Sequence, residues 1–193
     1  MRNATFAVAS GMYDVVLVVG NEKMRDVGSR DSLIKSTATE GHPFQMKGLS
    51  APGIFALMAS RHFAEFGTTR EDLARVAVKN HHNGTLAPKS MIKKEITVDD
   101  VLKAPMISWP FGLYDCCAQS DGAAVAILSK RELAKNFRDD YVLVKAVAIA
   151  LAENPQSDPS FDFLRWKPNV HAAQQAYKQA RVSNPFKEID VAQ

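Results

Sequence analysis

The chain has 193 residues, with 24 Lys and Arg against 21 Asp and Glu and a formal net charge of +3. That length suits one or two domains with a real core, and the interspersed charges argue against a nucleic-acid-binding face. No apolar run reaches the ~18 residues of a membrane span, and the opening residues do not read as a signal peptide.

In chain order, residues 1–10 read as the closing turns of a helix, with small or apolar residues at 4, 7 and 8 and a stop at Gly11. Tyr13–Gly20 is all but wholly apolar and reads as a strand buried on both faces. Helix, glycine and buried strand together suggest an α/β unit with a parallel sheet. Residues 21–40 carry no period, and Gly41-His42-Pro43 marks a turn. Ala51–Phe66 reads as a helix, with Ser50 as its cap, Pro52 in its first turn and Gly67 as its stop. A second helix follows, capped by Thr68 or Thr69, carrying a Leu73, Val76, Ala77 stripe and ending near His82, before Asn83-Gly84. Thr97–Lys103 reads as a capped helix of about two turns.

From Gly112 to Ser129, turn residues Ser120, Asp121 and Gly122 lead into small and β-branched residues, again the pattern of a buried strand. Small residues there let a backbone or a slender ligand approach closely. A short amphipathic helix over 130–137, a strand over 141–151, a proline-rich loop over 154–168 and a helix over 169–182 follow. Residues 188–192 read as the start of another strand. Both ends look cut through structure, so the expectation is an internal piece of a longer protein. The long helical excursion between the two buried strands is too large for a loop and reads as a subdomain.

Few side chains point to chemistry. Cys116 and Cys117 are the only cysteines, and as neighbours they cannot make an ordinary structural staple. A reducing, cytoplasmic setting fits them, and between a turn and a buried strand they read first as small hydrophobes. His81 and His82 imitate a metal pair, yet adjacent helical residues face different ways and no further ligand is near in sequence. Lys89, Lys93 and Lys94 read as a solvated face or as a minor contact to phosphate groups.

Four segments carry a family resemblance: Ser10–Met24, closing on Glu-Lys-Met; Lys79-Asn-His-His-Asn-Gly84; Lys94–Leu102 with Pro105-Met-Ile107; and Leu113–Ala124, containing Ser-Asp-Gly-Ala-Ala. In order and spacing, residues 10–135 resemble the thiolase family, in particular sterol-carrier-type thiolases and bacterial acetyl-CoA acetyltransferases.

The resemblance implies an α/β fold: part of a layered α-β-α-β-α body with an inserted, mostly helical loop domain. Residues 1–138 would be the rear of the N-terminal half, including a loop domain at about 25–112, and residues 139–193 the start of the C-terminal half. It implies acyl transfer on 3-oxoacyl-CoA through a cysteine thiolate, with an acid/base and oxyanion holes. The family's catalytic cysteines and histidine match no position here, so the chain alone is expected to be inactive. His42 spells the catalytic Gly-His-Pro tripeptide but sits far too early. The residues implied for substrate and coenzyme A are Met46, His81, Cys117, Ala118 and Ser120. Met46 reads equally as a surface methionine, and His81 as a structural histidine. No metal or prosthetic group is implied. The implied partners are an acyl-CoA substrate, further copies of the protein in a homo-oligomer and, in some bacterial relatives, a small zinc-ribbon/OB-fold protein. A thiolase-like aldolase of steroid side-chain breakdown and a non-catalytic acyl-CoA or lipid carrier are the alternatives.

Overall fold

The structure is a computed structural model that describes residues 1–28, 50–151 and 161–192. In chain order its helices and strands are α1 (Arg2–Ala9), β1 (Val15–Glu22), α2 (Ala51–Phe66), α3 (Arg70–Leu86), α4 (Val98–Lys103), β2 (Met106–Ser108), β3 (Phe111–Gly112), β4 (Gly122–Ser129), α5 (Lys167–Ala180) and α6 (Pro185–Glu188). Leu113–Asp115 and Arg131–Asn136 are 3-10 turns. The chain divides into two compact units, Met1–Asn21 with Ala123–Gln193, and Glu22–Gly122.

In the first unit, β1 and β4 share a two-stranded sheet. The amide of Lys130, just past β4, donates to the carbonyl of Asp14, just before β1, at 3.0 Å. At the other end the Arg25 amide donates to the Asp121 carboxylate at 2.9 Å. The end of one strand therefore meets the start of the other: the pair is antiparallel, not parallel as the helix–glycine–strand order suggested. The expected two-sided burial is also absent in this chain. Val15, Leu17 and Val19 alternate along β1 onto one face, and Leu17 and Val19 are 60% and 58% exposed. On β4, Val125 and Ile127 are likewise exposed.

Residues 141–151 form no strand, against expectation. Their β-branched side chains favour extension, but no described strand pairs with them, the Val147 amide donates instead to the Gln179 side-chain oxygen at 3.1 Å, and Val142 is 89% exposed. The stretch 188–192 is not a strand either, because Pro185–Glu188 closes one helical turn. The Glu188 carboxylate accepts from the Ser183 and Asn184 amides at 2.9 and 2.6 Å, which draws its pKa down. Residues 131–136 wind as 3-10 rather than α-helix. Helix α5 stops at Arg181, which takes the left-handed conformation at φ 59° where glycine is the usual choice.

The second unit is organised by caps. Ser50 Oγ accepts from the Gly53 amide at 3.3 Å to start α2, and Gly67 ends it at φ 69°. Helices α3 and α4 open with the same reciprocal device. Thr69 and Thr97 accept from the amides of Asp72 and Asp100, whose carboxylates accept in return from the threonine amides at 3.0 and 2.8 Å. Ile96, just before the second cap, and Val101, one turn on, close a hydrophobic staple over it, and both belong to the buried core with Ala74 and Ala77 of α3.

Replacing Thr97 with Ala is expected to cost about 1 kcal/mol, read as a lower denaturant midpoint. The amide of each threonine, and then its hydroxyl, holds the carboxyl of Asp72 or Asp100 below its ordinary pKa. A depressed carboxylate adds stability above its unfolded pKa and loses it as pH falls through the folded value. Helicity should therefore be level down to about pH 4 and weaken below it, and Asp100→Asn should flatten that part of the acid titration.

Candidate functional site

Helix α3, the loop after it and the turns around Tyr114 enclose a groove of about 500 Å3 within the second unit. Its apolar wall is the Leu73, Val76, Ala77 stripe of α3. The sequence marks that stripe as the helix's apolar face. The core side of α3 is set by Ala74 and Ala77, whose small side chains admit Ile96 and Val101, so Ala77 serves both faces, while Val76 is half exposed.

Four residues singled out from sequence, His81, Cys117, Ala118 and Ser120, line this groove together. Cys117, Ala118 and Ser120 are exposed. Met46 and His42 lie outside the described residues. His81 Nδ1 sits 3.0 Å from the Lys94 carbonyl oxygen. Its ring meets that of Tyr114 edge-on, with centroids 5.5 Å apart and planes at 89°. His82 turns away, its Nδ1 2.8 Å from a Glu95 carboxylate oxygen. The pair thus ties α3 to adjacent residues of the following segment rather than to one ion, and among the described residues no cluster of His, Cys, Asp and Glu is placed to hold a metal.

Tyr114 and Asn80 also line the groove and were missed in the sequence. Tyr114 is held by its turn: the Leu113 amide donates to the Pro105 carbonyl at 2.9 Å and the Gly112 amide to the Asp115 carboxylate at 2.8 Å. A lone aromatic beside Asp-Cys-Cys carries no periodicity, and only its turn chemistry marked it. Asp121 is structural, since its carboxylate holds the Arg25 amide. Cys116 is half-buried, and that burial, followed by the Asp115 and Cys117 charges, pushes its thiol pKa up. It stays protonated at neutral pH and is a poor nucleophile.

Helix α3 runs past the expected stop at His82 because Gly84 is accommodated inside it. A Cβ at Gly84 would stand 2.8 Å from the Ile92 carbonyl oxygen and 3.2 Å from Ser90 Oγ. The missing side chain lets the 90–92 loop close the groove. Gly84→Val gains little helix propensity and meets a backbone atom that cannot swing aside, so it should cost about 1–3 kcal/mol in a denaturant titration.

A larger groove of about 900 Å3 lies in the first unit, between α1, β4 and residues 141–144. None of the sequence candidates lines it. Among the described residues no helix is long and apolar enough to cross a membrane.

The two-stranded α/β unit and the capped helical unit belong to a thiolase-like fold. Residues 1–132 match the family described as thiolase, N-terminal domain, and the chain belongs to the thiolase family. It is 38% identical over 183 residues to an acetyl-CoA acetyltransferase of Methanothermobacter thermautotrophicus, covering 95% of this chain and 47% of that protein. It is 33% identical over 195 residues to an acetyl-CoA acetyltransferase of Methanocaldococcus jannaschii, covering 100% of this chain and 49% of that protein. Sterol carrier protein 2 of Oryctolagus cuniculus is 30% identical over 167 residues, covering 79% of this chain and 29% of that protein. The chain thus spans about half the length of the acetyltransferases it matches. Among solved structures, the Ltp2-ChsH2(DUF35) aldolase superposes with a TM-score of 0.70 at 24% identity, covering 94% of this chain and 48% of that one. The fold is accordingly a partial, thiolase-like α/β fold.

Proposed function

We propose that this chain is part of an acyl-CoA acetyltransferase that forms or cleaves 3-oxoacyl-CoA by acyl transfer through a cysteine outside these 193 residues. The observation that carries the proposal is the meeting of His81, Cys117, Ala118 and Ser120 in one groove of a chain similar along its length to acetyl-CoA acetyltransferases. The groove joins an apolar wall to a few polar points, which suits a thioester arm whose stem is apolar and whose amides need partners. Met46 belongs to the same proposed set.

Residues 1–138 are assigned to the rear of an N-terminal half, with about 25–112 as the loop domain over the substrate, and residues 139–193 to the start of a C-terminal half. The bare faces of β1 and β4 are then surfaces for the rest of the layered body. Coenzyme A thioester is the substrate, with no separate cofactor. A cytoplasmic homo-oligomer serving lipid metabolism completes the reading.

One observation favours a second reading. The aldolase neighbour is named with a DUF35 protein, so a steroid side-chain aldolase working with a small OB-fold partner is the runner-up. The complete protein, given a 3-oxoacyl-CoA and coenzyme A, should release acetyl-CoA. Cleavage of a 3-hydroxyacyl-CoA without added coenzyme A would replace the proposal with the aldolase, and binding with neither reaction would replace it with a carrier.

A further inference from the structure

His81 lines the groove with two ring nitrogens whose roles can be told apart. The atom 3.0 Å from Nδ1 is a backbone carbonyl oxygen, which can only accept. Nδ1 therefore carries the proton, and in the neutral ring Nε2 is left with a lone pair. The Tyr114 ring, edge-on at 89°, fixes the imidazole plane. The Lys94 ammonium lies over the Tyr114 ring, 6.0 Å from its centroid. The nearby carboxylate of Glu95 is taken by His82 and by the Thr85 hydroxyl. Among the described residues nothing bonds Nε2.

We infer that His81 is a hydrogen-bond acceptor for the ligand. It is locked in the Nδ1–H form by the Lys94 carbonyl, and its Nε2 reads an N–H donor on the amide-bearing arm of a coenzyme A thioester. The inference rests on the groove reading above and adds to it which atom selects for the arm and with what polarity. An acceptor held at this point favours a secondary amide over an ester or ether at the same place, because those offer no proton.

Two substitutions separate the roles. Asparagine at 81 places a donor where Nδ1 was and can keep the tie to Lys94, but it does not reach the Nε2 position. Glutamine reaches the Nε2 position with an acceptor oxygen and gives up the tie. Dissociation constants for coenzyme A are measured by titration calorimetry on the whole chain, with folding checked by circular dichroism. His81→Asn should keep the wild-type melting temperature and bind roughly three- to tenfold more weakly, as for one neutral hydrogen bond. His81→Gln should melt lower yet bind within about twofold of wild type. Independently of either variant, nitrogen–proton correlation spectra of the imidazoles should show the Nδ1–H tautomer and an Nε2 signal that moves on adding coenzyme A. Wild-type affinity in His81→Asn, or an unmoved Nε2 signal at saturation, overturns the role of His81 while leaving the groove standing. No saturable binding by the wild-type chain overturns both.

Discussion

Purified chain supplied with acetoacetyl-CoA and coenzyme A is expected to release no acetyl-CoA above the buffer rate. Thiolysis needs a thiolate beside a base and a second acid/base near the carbon α to the thioester. The two thiols present do not meet that need. Burial raises the pKa of Cys116, and among the described residues neither cysteine is hydrogen-bonded to an imidazole. His81 and His82 are held through Nδ1, by the Lys94 carbonyl and the Glu95 carboxylate, and neither ring is hydrogen-bonded to a thiol among the described residues. Enzymes of ordinary power exceed the uncatalysed rate by at least ~10^6, so the two outcomes are easily told apart. Turnover abolished by Cys117→Ser would show that the nucleophile has been misplaced.

Ile96→Ala is expected to be the most damaging single truncation in the second unit, at about 2–5 kcal/mol. Ile96 is 5% exposed and shares one buried cluster with the alanines of α3 and Val101 of α4. It also precedes the Thr97 cap, so truncation removes the staple and leaves a void under the first turn of α4. Against the ~5–15 kcal/mol typical of whole domains this is a large share. The contrast is Val142→Ala. Val142 is 89% exposed, and its loss should stay within about 0.5 kcal/mol. Urea titrations of the two variants measure the difference directly.

Local signals were legible in the sequence because their causes are local. Ser50, Thr69 and Thr97 announce helix starts through hydroxyls that reach amides three residues on, and Gly67 announces a stop through its positive φ. Pairing partners were not legible. Tyr141–Leu151 has strand composition but, among the described residues, pairs with no strand, and composition cannot supply a partner. The direction of β4 against β1 depended on how the second unit returns the chain, which no periodicity encodes. Gly84 misled for a similar reason: read as a stop, it is a contact point with the Ile92 carbonyl.

The groove was half legible. Cys117, Ala118 and Ser120 came from the turn-to-strand pattern and the family resemblance, and His81 from the Lys-Asn-His element. The Leu73, Val76, Ala77 stripe of α3 was legible as an apolar face, but helical spacing does not report what covers such a face.

If this chain supplies one wall of an acyl-CoA site, Cys117 reports on that wall without any need for turnover. In a Cys116→Ser background, the rate at which iodoacetamide alkylates Cys117 should fall several-fold on titration with coenzyme A and level off as the groove fills. A rate that does not change up to millimolar coenzyme A, in protein shown to be folded, would mean that the groove is not a coenzyme A site.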